Sequence, residues 1–315
     1  MKAMIINKKG GSEIFETYEM PLPDPKGKEL LVKVYATSVN PVDCKIRSGM
    51  IDTGVGFPQI LGFDVSGVVE EIGDKVSDFK KGDEVYYLPR ILGWQGAYAE
   101  YHLVEEEIAS KKPSNISHIE AGAVPLVAST VWDALIERAK IKMGESILIH
   151  AGAGGVGSIA IQLAKICGLY VFTTCSSKNA DLVKSLGADK IIDYKTEDFV
   201  EVVMKETNKQ GVDIAFDTVG GDVLTRSFEA VKHFGRISSI VRVPANLEIA
   251  FFKNITFHPV FVQSGRFKLD QIRTLIERKR LIPVIDSVMT LGDVASAHKK
   301  LEKGGVRGKI VLKVA

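Results

Sequence analysis

The chain has 315 residues, of which 45% are hydrophobic and 25% charged, with a formal net charge of +2 at pH 7. That is the make-up of a soluble globular protein of about two domains, and it excludes disordered and fibrous classes. No basic block stands behind the small excess charge, no apolar run reaches the roughly 18 residues of a membrane span, and the N-terminal MKAMIINKKGG lacks a secretory apolar core. A soluble cytoplasmic protein is therefore expected, with no nucleic-acid and no membrane partner. Three cysteines, Cys44, Cys167 and Cys175, are too few and too widely spaced for a disulfide framework or a zinc cluster and read as reduced thiols.

Up to about residue 120 the chain runs in short β-branched stretches broken by Gly, Pro and Asp: ELLVKVYATSV, VSGVVEEIG, GDEVYYLP and GAYAEYHLV. This is the texture of a twisted β-rich domain, with little that reads as a long helix. Beyond it strands and amphipathic helices alternate (SILIH, VGSIAIQLAKICG, YVFTTC, NADLVKSLG, KIIDY, TEDFVEVVMKET, VDIAFDTV, VLTRSFEAVKHFG, RISSIV), the signature of βαβ units on a parallel sheet. Ile159, Ala160, Leu163, Ala164 and Cys167 form one apolar helical stripe, and Gly168 stands where a C-terminal cap belongs. Gly187 and Gly235 are expected to end later helices, and Thr196 and Asp293 to cap first turns. The tail from Phe267 holds two helices and a closing strand, KIVLKV, expected to return to the first domain. The resulting division is 1–122, 123–265 and 266–315.

Between a predicted strand and a predicted helix lies AGAGGVG, in which Gly152, Gly154 and Gly157 spell G-x-G-x-x-G around Gly155 and Val156. In a βαβ unit this pattern is a dinucleotide cradle: a glycine for the turn, one for close approach of the pyrophosphate, one for helix–strand packing, with helix amides facing the anion. A P-loop is the competing phosphate reading, but the lysine it needs after its last glycine is missing. NAD-binding units place an acid about 20 residues on, to hold the ribose 2′-hydroxyl. Here VFTTCSSKN has none, and Ser176 and Lys178 instead offer a hydroxyl and an ammonium to a 2′-phosphate, which favours NADPH. Lys178 also reads as an ordinary solvated lysine at a helix start.

With these residues in hand, the chain resembles the zinc-independent quinone oxidoreductase branch of the medium-chain dehydrogenase/reductase superfamily. The resemblance runs nearly end to end, through ATSVNPVDCKIRSG, LGFDVSGVVEEIG, KGDEVY, GAYAEY, AGAGGVG, LGAD, DTVGG, GRISSI and GKIVLKV. It implies an α/β protein: a GroES-like β-rich catalytic domain made from both chain ends, plus a Rossmann domain with a doubly wound parallel sheet, an active site in the cleft and a homodimer. Zinc-dependent relatives carry a Cys where this chain has Asn40 and a His-Glu pair where it has Phe63 and Asp64, so no metal is expected. Hydride transfer without a Lewis acid suits an acceptor that is already electrophilic, a quinone or an enone.

The resemblance also assigns residues. Asn40 orients the acceptor carbonyl; Lys45 in the NPVDCK turn, read from its charge and not from the resemblance, offers charge to the developing oxyanion, and Asp43 holds that turn or Lys45, or has a purely structural role. Thr130 faces the nicotinamide, Tyr194 flanks the 2′-phosphate, Val219 and Val241 follow strand ends along the cofactor, Phe261 and Val262 lie against the nicotinamide, and Lys309 is a basic residue near it. Core packing is the alternative for each apolar one. His150 reads as a satisfied structural histidine, and His102, His118, His233, His258 and His298 have no metal-ligand spacing. Trp94 and Trp132 read as core or cleft wall. Two rivals stay open: a 2-enoyl thioester reductase of the same superfamily, and a non-catalytic NADPH-binding sensor or structural protein.

Overall fold

The structure is a computed structural model and describes residues 1–241 and 246–315. The chain forms two compact units, Met1–Ser129 with Gln263–Ala315, and Thr130–Val262. The helix Pro125–Val131 runs across the first junction. No helix among the described residues is long and apolar enough to cross a membrane.

In the first unit the strand Glu29–Val39 is the spine. It pairs antiparallel with Val65–Ile72, with Tyr101–Glu105 and with the C-terminal strand Lys309–Lys313, which in turn pairs with Ile285–Thr290. Leu30, Leu31 and Val32 are all fully buried, so both faces of this strand are covered. The register Ile310↔Val39 sets Lys309 beside Asn40, although 269 positions separate them in sequence.

In the second unit six parallel strands among the described residues lie in the order Lys190–Asp193, Tyr170–Cys175, Ser146–Ile149, Val212–Asp217, Val231–Ser239, Thr256–Pro259. That is the doubly wound 3-2-1-4-5-6 order, whose direction reverses between the first strand and the fourth. The central strands Ser146–Ile149 and Val212–Asp217 are largely buried along their length, as expected where helices cover both faces of such a sheet. Gly168 and Gly187, at φ 79° and 105°, close their helices in the left-handed region as expected. Other punctuation differs. The helix Phe199–Glu206 is capped by Asp198, which accepts from the amides of Val200 (2.9 Å) and Glu201 (3.2 Å), and not by Thr196. Asp293 turns back to Thr290, accepting from its amide (3.0 Å) and hydroxyl (2.6 Å). The helix Gly221–Ala230 ends well before Gly235, which falls in an irregular stretch of the following strand, where pairing skips from Val231 to Arg236.

The glycine turn divides its work in an unexpected way. The left-handed residue is Ala151, at φ 52°, so Gly152 is not what makes the turn. A Cβ on Gly152 would lie 2.1 Å from Thr173 Oγ1, and one on Gly157 would lie 2.3 Å from the Ala151 carbonyl oxygen. Both positions are closed by packing. We expect Gly157→Ala to lower stability by about 2 kcal/mol in chemical denaturation, as overpacking against backbone does; an unchanged midpoint would remove the packing argument.

Three imidazoles are buried as neutral groups. Burial holds His102 and His150 at about 4 and His298 at about 3. His102 bonds Tyr87 Oη at 3.0 Å, His150 bonds Ser227 Oγ at 2.9 Å, and His298 bonds Tyr98 Oη at 3.1 Å. Each regains its ordinary value of 6.5 on unfolding, so below that pH the unfolded chain binds more protons and stability falls. Asp43 acts in the opposite sense: burial raises it to about 7, so acidification from 7 towards 3.8 favours the folded state. Three imidazoles against one carboxyl leave a net loss, of roughly 2 to 3 kcal/mol per pH unit where it is steepest. Urea midpoints should therefore drop between pH 7 and pH 5, and a flat profile across that window would contradict the neutral burial of these histidines.

Candidate cofactor and active sites

The N-terminus of the helix Gly155–Ile166 follows directly from the first parallel strand, at the point where strand order reverses. Gly154 is its N-cap and supplies no side-chain bond, so the first-turn amides of Gly155, Val156 and Gly157 lack an intrahelical acceptor. Among the described residues, a Cβ on Gly154 would meet nothing closer than the Ala151 carbonyl oxygen at 3.4 Å. The protein itself does not need a glycine there. The room is usable by an anion that approaches the backbone, at the positive end of a twelve-residue helix.

Beside this turn is a cavity of about 730 Å³, walled by Ala151, Thr174, Tyr194, Phe199, Val219 and Arg226 among others. Its volume suits a nucleoside-sized group. Tyr194 is 60% exposed and Val219 48% exposed, so both present side-chain surface. His150 also borders the cavity, but both ring nitrogens are engaged, by Thr174 Oγ1 (3.3 Å) and Ser227 Oγ (2.9 Å), which fits the structural role expected for it. Lys178 is exposed in the short turn Ser177–Asn179, whereas Ser176, in front of it, is largely buried. Val241 packs where a Cβ on Gly220 would touch it at 2.9 Å. Thr130 is buried, Phe261 is 48% exposed and Val262 is half-buried. Trp94, read as core or wall, is 42% exposed.

In the first unit the sequence NPVDCKIR forms a helix, Pro41–Arg47, where only a turn was expected. Its signal is legible in retrospect: a proline at the first helical position and an acid two residues later. Asp43 accepts from the Asn40 amide (2.7 Å) and the Gly62 amide (2.9 Å), which fixes the entry to this helix. Asn40 itself departs from its expected role. It has no exposed surface, its Nδ2 donates to Asp64 Oδ2 (2.8 Å), and its Oδ1 accepts from Lys309 Nζ. The Nδ2 group also donates to the Ser38 carbonyl oxygen (3.4 Å), so both donors and the oxygen are engaged within the protein, and the geometry gives Asn40 a positioning role. Lys309 is likewise no loose cation: 5% exposed, its ammonium also reaches the Val39 carbonyl (3.2 Å) and Asp64 (3.2 Å). Lys45 is half-buried on the same helix.

Asp64 is the residue that sequence reasoning missed. It accepts from Ser38 Oγ (2.5 Å), Asn40 Nδ2, Lys309 Nζ and the Leu126 amide (2.7 Å). A lone acid in the otherwise apolar run LGFDVSG was the available sign, since an unpaired carboxylate is not buried.

Two family models match the chain: the alcohol dehydrogenase GroES-like domain over residues 26–114 and the zinc-binding dehydrogenase over residues 186–312. The donor set does not suit zinc. Phe63 has no ligating atom, Asn40 and Asp64 are spent on one another and on Lys309, and no group of three or more His, Cys, Asp or Glu among the described residues could hold a metal ion. The quinone-oxidoreductase homolog of spinach chloroplasts is 33% identical and aligns over 96% of this chain and 95% of its own length. The quinone oxidoreductase structure from Coxiella burnetii superposes with a TM-score of 0.92 at 34% identity, covering 100% of this chain and 99% of that one. That of Escherichia coli quinone oxidoreductase complexed with NADPH gives a TM-score of 0.90 at 29% identity, covering 99% and 100%. The chain thus belongs to the quinone-oxidoreductase branch of the medium-chain dehydrogenase/reductase superfamily.

Proposed function

We propose that this protein is an NADPH-dependent, zinc-independent reductase of quinones or α,β-unsaturated carbonyls. The observation that carries the reading is the space at Gly154, open among the described residues, beside three first-turn amides without an intrahelical acceptor and next to a nucleoside-sized cavity. The E. coli relative bound to NADPH supports the same cofactor here. The bound reduced nicotinamide supplies the hydride. The protein's share is positional and electrostatic. Gly155, Val156 and Gly157 hold the diphosphate by their amides, Tyr194 and Lys178 meet the 2′-phosphate, and Val219 borders the adenosine. The Asp43 and Asn40 bonds fix the start of the helix that carries Lys45, whose ammonium stabilises the oxyanion that grows on the acceptor. Solvent then supplies the proton. A homodimer is part of this reading, because the edge strand Thr256–Pro259 is bonded on one side only among the described residues.

The test is the loss of reduced-nicotinamide absorbance against a panel of quinones, enones, enals and enoyl thioesters. Turnover of quinones or enones is expected, with Gly154→Val folded but unable to bind the cofactor. Turnover of enoyl thioesters alone, or cofactor binding without turnover of any acceptor, would replace this reading. Lys178→Ala should raise the KM for NADPH about tenfold while leaving that for NADH nearly unchanged, the usual scale of a charge-assisted bond. Equal effects would remove Lys178 from the 2′-phosphate.

A further inference from the structure

The acid missing from the end of the second parallel strand is supplied by its neighbour. In the sheet Cys175 pairs with Asp193, so the ends of these two strands lie side by side. The Asp193 carboxylate reaches across: Oδ2 accepts from the Ser177 amide at 3.1 Å and Oδ1 from the Lys195 amide at 3.0 Å. It thereby clasps the turn that bears Lys178 to the turn that bears Tyr194, whose own amide bonds the Cys175 carbonyl at 3.2 Å. These amides hold its carboxyl below the usual carboxylate range, so it is ionised at neutral pH. The other charges at this edge are Lys178 and Lys195, whose ammonium groups have no ion-pair partner among the described residues, and Glu197, which accepts from the Asp193 amide at 2.8 Å.

Resting on the cofactor reading above, we propose that Asp193 is a specificity-determining residue at the ribose 2′ position, holding down the preference for NADPH over NADH. Two physical effects act together. A carboxylate beside a 2′-phosphate repels it, and Asp193 also occupies the Ser177 amide, a donor the phosphate would otherwise take. With NADH neither cost arises. A carboxylate has about four acceptor sites and two are used here, which leaves capacity for a ribose 2′-hydroxyl. The clasp is the reason an acid is tolerated at this edge: it sets the two turns in register while its charge weakens the phosphate that those turns would hold.

Asp193→Asn keeps a side-chain oxygen for one of the two amides and removes the charge. Dissociation constants for NADPH and NADH, from nicotinamide fluorescence titrations of the full chain, should show NADPH tightening about two- to fivefold and NADH unchanged or weaker, a surface-charge effect that shrinks as salt is raised. Asp193→Ser gives the same reading if the Asn variant fails to fold. A ratio of the two constants that does not move, or moves towards NADH, overturns the proposal while the cofactor reading stands. Wild-type protein that binds neither nucleotide overturns both.

Discussion

A single buried carboxylate closes the first unit around itself. Asp64 collects a hydroxyl from Ser38, an amide nitrogen from Asn40, a backbone amide from Leu126 and an ammonium from Lys309. These groups come from the spine strand, the residue that follows it, the helix that leads out of the unit and the strand that ends the chain. The Asp64 charge is therefore paired and hydrogen-bonded where it is buried, and its pairing with Lys309 cannot be lost cheaply, since one member of a buried ion pair stranded without the other costs about 3 to 5 kcal/mol. The arrangement explains how a unit made from two distant stretches of chain holds its ends together. The register of the last strand brings Lys309 to Asn40, and the charge fixes it there.

The same closure bears on chemistry. Asn40 stands at the entrance to the helix Pro41–Arg47, and its amide is spent on Asp64 and Lys309. Asp43, one turn in, is spent on the Asn40 and Gly62 amides. The most rigid polar groups of the region therefore hold the frame, and the half-buried Lys45 is the group on that helix with a charge still to offer. In the function proposed above, a site organised in this way would separate positioning from contact: the buried side chains set the geometry, and the more accessible Lys45 would meet the oxyanion.

Much of this was legible in the sequence. Alternating strands and amphipathic helices, the glycine turn and the shift in texture near residue 120 are local patterns, and they carried the fold class and the cofactor cradle. What was not legible depends on register and packing. Nothing in GAGGVG distinguishes glycines that the protein needs from one that only a ligand needs; the distances from Gly152 to Thr173 and from Gly157 to Ala151 do so. Asp198 rather than Thr196 capped its helix because both residue types suit a cap and two positions decide between them. The role of Asn40 changed because its partners lie far along the chain, at Asp64 and Lys309.

The ribose edge illustrates the same limit at its sharpest. Along one strand, the absence of an acid between Val171 and Asn179 argued for a 2′-phosphate. Across the sheet, the pairing of Cys175 with Asp193 puts a carboxylate within hydrogen-bond distance of the very turn that lacked one. Charge at a binding site is a property of the space around it and not of one segment, because Coulomb interactions reach about 8 to 10 Å before salt screens them. Parallel strands stand about 5 Å apart, so the ends of neighbouring strands always lie within that reach. The charge that a ribose meets in a doubly wound sheet is therefore summed over at least two strand ends, of which the second strand supplies only one.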